Sequence, residues 1–336
     1  MTERAQVIAG FLEASGWGAA RRELLAADAS FRRYDRLFRG TETAVLMDAP
    51  PPRENVAAFH RVARQLLDLG LSAPRPLAVD EAAGLMLLED LGDRTFTRAL
   101  SAGIDEARLY LLAVDVLIAL HRHWQPAQAT ALPPYDDTRL LDEALLLPDW
   151  ILPAVRGVDT AADVRESYST AWRAVLPRAR AVPDALVLRD YHVDNLMLLD
   201  GRADIAACGL LDFQDAVIGP RSYDLVSLLE DARRDIAPDL ANAMLERYLA
   251  AFPELDRAAF LDSYAVLGAQ RAAKIIGIFT RLDRRDGKPD YLRHIPRVWR
   301  LLQADLAKPA LAPVRAWFDW HVPVAERIAP PAKSGT

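Results

Sequence analysis

The sequence predicts an α+β chain of two lobes: a small β-rich N-terminal lobe, then a larger helical lobe carrying a β-hairpin insert. Three observations predict it. Short apolar runs alternate with turn residues over roughly the first 90 residues. From about residue 95 apolar residues recur at helical spacing. Within the helical part, the stretch 185–212 reverts to short apolar runs at 186–188, 196–199 and 210–211. A length of 336 residues is too great for one simple core and suits two lobes.

Residues 2–17 read as an amphipathic helix with Val7, Ile8, Phe11 and Leu12 on one face. Strands follow at about 22–28, 31–39 and 42–48, separated by turns at Asp28-Ala29-Ser30 and Arg39-Gly40-Thr41. Pro50-Pro51-Pro52 breaks the chain, and a helix from about Glu54 to Leu69 stops at Gly70. Strands at about 76–80 and 84–90 meet in a turn near Ala83-Gly84. The junction Leu88-Glu89-Asp90-Leu91-Gly92 ends the first lobe, giving 1–91 and 92–329, with 330–336 as a frayed tail. Helices are expected at about 105–123, 136–147, 159–180, 222–233, 238–251, 256–284 and 289–306. Asp200-Gly201 marks the turn of the β insert.

Composition excludes several functions. Hydrophobic content of 51% with 26% charge is globular. No run approaches 18 apolar residues, so no membrane span is expected. The start, Met1-Thr2-Glu3-Arg4-Ala5, lacks a signal-peptide core, which makes the cytoplasm the default. Cys208 is the only cysteine, so neither an intrachain disulfide nor a Cys/His zinc cluster is available. A net charge of -6 argues against non-specific nucleic-acid binding. Lysine occurs only at 274, 288, 308 and 333.

Asp190 and Asn195 are spaced as D-x4-N on a loop between apolar runs. Phosphoryl transfer needs a carboxylate to accept the attacking hydroxyl's proton and oxygen ligands for Mg²⁺. Asp212 follows the next apolar run, where a second hard-cation ligand would stand. Singly, each Asp is more commonly a turn cap. Together, in this order and setting, they point to phosphotransfer.

The stretches Arg189-Asp190-Tyr191-His192-Val193-Asp194-Asn195, Leu211-Asp212-Phe213-Gln214 and Gly219-Pro220-Arg221-Ser222-Tyr223-Asp224-Leu225 resemble the aminoglycoside phosphotransferase family. That resemblance implies a bilobal protein-kinase-like fold and use of ATP with Mg²⁺. It implies Asp190 as catalytic base, Asn195 and Asp212 as metal ligands, and Asp224 as a structural anchor for the catalytic loop. Four further stretches, at 30–34, 45–51, 88–93 and 274–279, are most similar to bacterial kinases that phosphorylate the anomeric hydroxyl of N-acetylmuramate and N-acetylglucosamine.

Two parts depart from the pattern. A kinase third strand carries a phosphate-pairing Lys, but Val45-Leu46-Met47 has Met there. The phosphate loop around Ser30 lacks glycine. Arg32 or Arg33 is the expected substitute, since guanidinium binds phosphate bidentately, and strand alternation sends only one of the two inward. Glu54, without its Lys, reads as a first-turn carboxylate. Backbone groups of Glu89 and Leu91 are expected to meet the adenine edge. Residues 262–300 carry nine Lys/Arg against four Asp, which disfavours a polycationic acceptor and suits a neutral or anionic sugar; the plainer reading is a solvated basic face. His192, Asp194, Gln214, Asp215 and Arg271 are the candidate acceptor contacts. The alternatives are a kinase of another small alcohol (homoserine, choline or an aminoglycoside) and a nucleotide-binding pseudokinase.

Overall fold

Period-two patterning and a helical remainder are both realised in a computed structural model of the chain, which describes residues 3–27, 32–52, 54–125 and 132–333. In chain order the elements are α1 (Glu3–Ala14), β1 (Arg21–Ala27), β2 (Arg33–Arg39), β3 (Glu42–Asp48), α2 (Val56–Asp68), β4 (Pro76–Asp80), β5 (Leu85–Glu89), α3 (Phe96–Ser101) and α4 (Glu106–His123). They continue with α5 (Asp137–Ala144), α6 (Leu152–Arg156), α7 (Ala162–Ala179), β6 (Asp184–Val187), β7 (Leu196–Leu198), β8 (Cys208–Leu210) and β9 (Val217–Pro220). The chain ends with α8 (Tyr223–Leu229), α9 (Pro238–Ala250), α10 (Arg257–Asp286), α11 (Ile295–Leu306) and α12 (Ala312–His321). Contacts divide it into two units: Met1–Trp124 with Val193–Ala216, and Gln125–His192 with Val217–Thr336. The lobe boundary expected at 91/92 falls inside the first unit.

In the first unit β1-β2-β3-β5-β4 form one antiparallel sheet. Alternation gives β3 two working faces. Ala44 and Leu46 join Ile8, Leu12 and Trp17 in the core under α1. Val45 and Met47 point to the opposite face. Asn55 caps α2 by accepting from the Ala57 amide at 2.9 Å, and Phe59 of that helix packs on Phe213 with ring centroids 4.7 Å apart. β7 and β8 pair antiparallel in the register Leu196↔Leu210, which sets Asn195 opposite Leu211 and next to Asp212.

The second unit is built round α10, a helix of 30 residues capped by Asp256 and ended by Gly287 in the left-handed conformation (φ 65°). Buried positions run along its length because α5, α7, α8 and α11 all pack on it. β6 pairs with β9, and every residue of α8 is buried.

Several expectations are corrected. Val7 is 41% exposed, so the buried face of α1 is Ile8 and Leu12 with Phe11 part-buried. The connection from β7 to β8 includes a 3-10 turn at Asp204–Ala207 and is longer than a tight hairpin. The short helix α3, strand β9 and helix α12 were not expected. Pro313 stands in the first turn of α12, where its missing N–H costs no hydrogen bond. Pro331 O accepts from Arg284 at 2.8 Å and the Lys333 amide meets Asp283 at 3.2 Å, so the expected tail is tied down as far as 333. The turn Asp28-Ala29-Ser30 lies outside the described residues. Among the described residues no helix is long and apolar enough to cross a membrane.

Gly277 on α10 allows a close approach: a Cβ there would lie 2.3 Å from the Leu146 carbonyl carbon and oxygen. Helix propensity alone would make Gly277→Ala stabilising by ~1 kcal/mol. The backbone clash should override it, for a net loss of ~2 kcal/mol. Urea denaturation checks this as a lower midpoint at unchanged m-value.

Candidate functional site

The first unit holds a cavity of about 490 Å³. Its apolar walls come from Leu25, Val45, Phe59, Leu88, Met197 and Leu211, and its polar rim from Asp90 to Asp93. Asn195 and Asp212 line it too. Hairpin register brings these two together, and Asn195 Nδ2 lies 3.4 Å from Asp212 Oδ2. Asp212 has φ 58°, a left-handed backbone that is uncommon for a non-glycine residue and clusters at functional sites. Gln214 Nε2 donates to Asp212 Oδ1 at 2.8 Å and so fixes the carboxylate's orientation. An oxygen-donor pair beside an apolar cavity fits Mg²⁺, which takes few protein ligands and completes its shell with water and phosphate. Among the described residues no set of three or more His, Cys, Asp or Glu gathers to hold a metal.

The two candidate arginines part at the start of β2. Arg33 is 56% exposed and donates to Asp35 at 2.9 Å. Arg32 is 10% exposed; its Nε lies 3.6 Å from Glu54 and a terminal nitrogen lies 3.9 Å from Asp212. Burial opposes its charge, but Tyr34, Asp212, Glu54 and Asp215 together raise its pKa and hold it cationic. Glu54 is therefore an ion-pair partner as well as a residue at the mouth of α2. Met47 is buried on β3. Ser30 lies outside the described residues. Glu89 and Leu91 border the cavity. The Glu89 amide already donates to Arg75 O at 2.8 Å, which removes that donor from the expected base-edge contacts.

The second unit holds Asp190 on the loop after β6. Arg189, just before it, has φ 71°. That conformation is pinned at both ends by α8. Asp224 accepts from the Leu188 amide at 2.6 Å and the Arg189 amide at 2.9 Å, while Ser227 Oγ donates to Arg189 O at 3.2 Å. Burial pushes the Asp224 carboxyl up to about 7, against the pull of those two amides. The Arg189 guanidinium bonds Glu143. Glu143 also accepts from Tyr135 and lies 3.1 Å from Lys274 Nζ. Burial raises the Asp190 carboxyl's pKa, but Lys274, His192, Arg271 and Arg189 together bring it below its ordinary value, so it is ionised at neutral pH. His192 is buried, and burial lowers its pKa.

The remaining candidates divide. Arg271 is buried beside the Glu230 carbonyl, which accepts from it at 3.3 Å. Asp194, in the first unit, accepts from the Thr97 hydroxyl of α3. Asp215 is exposed. Of the basic residues at 262–300, Arg284, Arg285, Arg297 and Arg300 are held in ion pairs with Asp283, Asp286 and Asp235. Arg271 and Lys274 bear on Asp190. Sequence reasoning missed Glu143 and the role of Lys274. Both are charged residues with apolar neighbours in the chain, Glu143 beside Ala144 and Lys274 between Ala272-Ala273 and Ile275-Ile276, which is the signal that could have found them.

A family model described as phosphotransferase enzyme family matches residues 21–261. The N-acetylmuramate/N-acetylglucosamine kinase of Caulobacter vibrioides is 43% identical, over 97% of this chain and 99% of that protein. The kinase of the same name from Pseudomonas aeruginosa is 38% identical, over 89% of each chain. The GDP complex of aminoglycoside 2′-phosphotransferase-IIIa superposes with a TM-score of 0.62 at 14% identity, over 91% of this chain and 99% of that one. That likeness is one of fold, and the fold is protein-kinase-like.

Asp224→Ala should leave the Leu188 and Arg189 amides without acceptors and cost ~3 kcal/mol of stability. In hydrogen exchange those two amides, protected in the parent protein, should exchange fast in the variant. Protection unchanged at both would show that other groups hold the loop.

Proposed function

The chain belongs to the phosphotransferase enzyme family, and on that premise we propose that it is an ATP-dependent kinase, acting in the cytoplasm on the anomeric hydroxyl of N-acetylmuramate and N-acetylglucosamine. The observation that carries the phosphotransfer reading is the Asn195–Asp212 oxygen pair on the wall of a 490 Å³ cavity. End-to-end similarity to kinases bearing the names of those sugars supports the acceptor. So do the cations round Asp190, which suit a neutral or anionic sugar and would repel an aminoglycoside.

In this reading Asp190 accepts the proton of the sugar 1-hydroxyl. The freed oxygen bonds the γ-phosphorus as the bond to the β-phosphate oxygen breaks, giving a sugar 1-phosphate and ADP. Asn195 and Asp212 would hold Mg²⁺, which when bound offsets the negative charge on the phosphate oxygens. Arg32, braced by Glu54, takes the part of the absent third-strand lysine. Leu91 and the segment around it meet the adenine. His192, Gln214 and Arg271 remain our candidates for orienting the acceptor and its neighbours, and Asp224 for anchoring the loop.

Incubation with ATP, Mg²⁺ and either sugar should yield ADP and a sugar 1-phosphate, seen by phosphorus NMR. Asp190→Asn should lower turnover by ~10²–10⁴-fold with nucleotide binding kept. ADP formed only with homoserine, choline or an aminoglycoside would remove the sugar and leave the kinase. A fully active Asp190→Asn would remove the base.

Arg32→Ala should lower kcat/KM for ATP by ~10²-fold, as loss of a phosphate-clamping cation does. Arg33→Ala, whose side chain turns to Asp35, should stay within about threefold of the parent, since it breaks only an exposed ion pair. Steady-state kinetics at saturating acceptor distinguish the two.

A further inference from the structure

One arginine of the first unit has more partners than a strand residue needs. Arg36 lies on β2, opposite Val45 of β3, a cavity-lining residue. Its Nε is 2.8 Å from Asp90 Oδ2. One terminal nitrogen donates to Asp93 Oδ2 at 2.8 Å. The other donates to Asp90 Oδ1 at 3.1 Å and to the Gly92 carbonyl at 3.1 Å. Asp90 Oδ1 also accepts from the Gly92 amide at 2.9 Å. The guanidinium side chain is 14% exposed and the Asp90 carboxylate 6%.

These contacts converge on a stretch of cavity wall outside regular structure. β5 ends at Glu89 and α3 starts at Phe96. The rim between them, Asp90 to Asp93, pairs with no strand among the described residues, and its end is held where Asp93 O accepts from the Thr95 amide and from Arg98, each at 3.0 Å. An isolated surface ion pair would do little there. A planar fork gripping two carboxylates and a carbonyl within four residues is different: it sets the segment's conformation at several points.

We infer that Arg36 is a positioning residue for the nucleotide, holding the Asp90–Asp93 segment in the one shape that can hydrogen-bond the base. The inference rests on reading this cavity as the nucleotide site. Loss of the clamp lets the segment sample other conformations, so each binding event must order it again. The penalty falls on nucleotide affinity, because the segment takes no part in the proton transfer. Acceptor affinity is untouched.

The test measures KM for ATP, KM for the sugar and kcat for the full-length protein and for Arg36→Met, Arg36→Lys and Asp93→Asn. Arg36→Met should raise KM for ATP ~10-fold, with kcat and sugar KM within about threefold. Arg36→Lys, which keeps the charge and loses the fork, should fall between. Asp93→Asn removes one arm and leaves Asp90 paired, so it keeps the test open should Arg36→Met fail to fold; a rise of about threefold is expected. An unchanged KM for ATP in the folded variants overturns the inference. So does an equal fall in kcat for both substrates tracking the melting temperature, which would mark a purely structural ion pair. Val45→Trp, which fills the cavity, separates the two levels. If it blocks ATP while the clamp variants are silent, the cavity reading stands and the inference fails. If it leaves ATP kinetics unchanged, the cavity reading itself fails and takes the inference with it.

Discussion

The left-handed backbone at Arg189 is the constraint on which the loop carrying Asp190 depends. A non-glycine residue in that conformation costs about 1–2 kcal/mol. It persists because α8 grips its amide through Asp224 and its carbonyl through Ser227. Hydrogen bonds to the buried Asp224 carboxyl and from the Ser227 hydroxyl contribute about 0.5–1.5 kcal/mol each, together enough to offset the strain. α8 can serve as that grip because it is wholly buried and packed on α10. The core of the second unit thus fixes the direction in which Asp190 leaves the loop. Glu143 adds a third hold through the Arg189 side chain.

On the proposed reading arginine takes the part that lysine has in related chemistry. With only four lysines, the cation near Asp212 is Arg32, reaching from the edge of the first hairpin, and not a residue of β3. Arginine tolerates this because its planar fork can face Glu54 and Asp212 together, where an ammonium offers one point charge. The same fork lets Arg36 hold the rim segment from β2. Lys274 stands where a compact charge beside Asp190 and Glu143 lowers the Asp190 pKa. Elsewhere arginines pair with neighbouring carboxylates, as Arg297 and Arg300 do with Asp235.

Where local pattern and burial coincide, the fold could be read directly. The strands of the first sheet, the helix at 56–68 with its Asn55 cap and the long helix α10 lie within a few residues of expectation, because alternation, capping and a sustained apolar stripe are local signals. Val7 failed because an apolar residue on a short helix need not face the sheet. α3 failed because six residues carry too little periodicity. β9 failed because Val217-Ile218-Gly219-Pro220 ends in residues that read as a turn, and only pairing with β6 makes it a strand.

By itself the sequence determined the chemistry: which carboxylates and amide could serve phosphotransfer, their order, and the absence of a lysine before residue 274. Those facts are set by residue identity and short spacing, which survive any folding. The tertiary structure alone decided which arginine turns inward, that Glu54 meets it, that Asp194 belongs to α3's Thr97, that Lys274 pairs with Glu143, and that Lys274 bears on Asp190. Each of these is a contact between residues far apart in the chain or a choice between two faces of a strand. Period-two alternation says that Arg32 and Arg33 point oppositely; only packing against Glu54 and Asp212 says which of them faces the carboxylates.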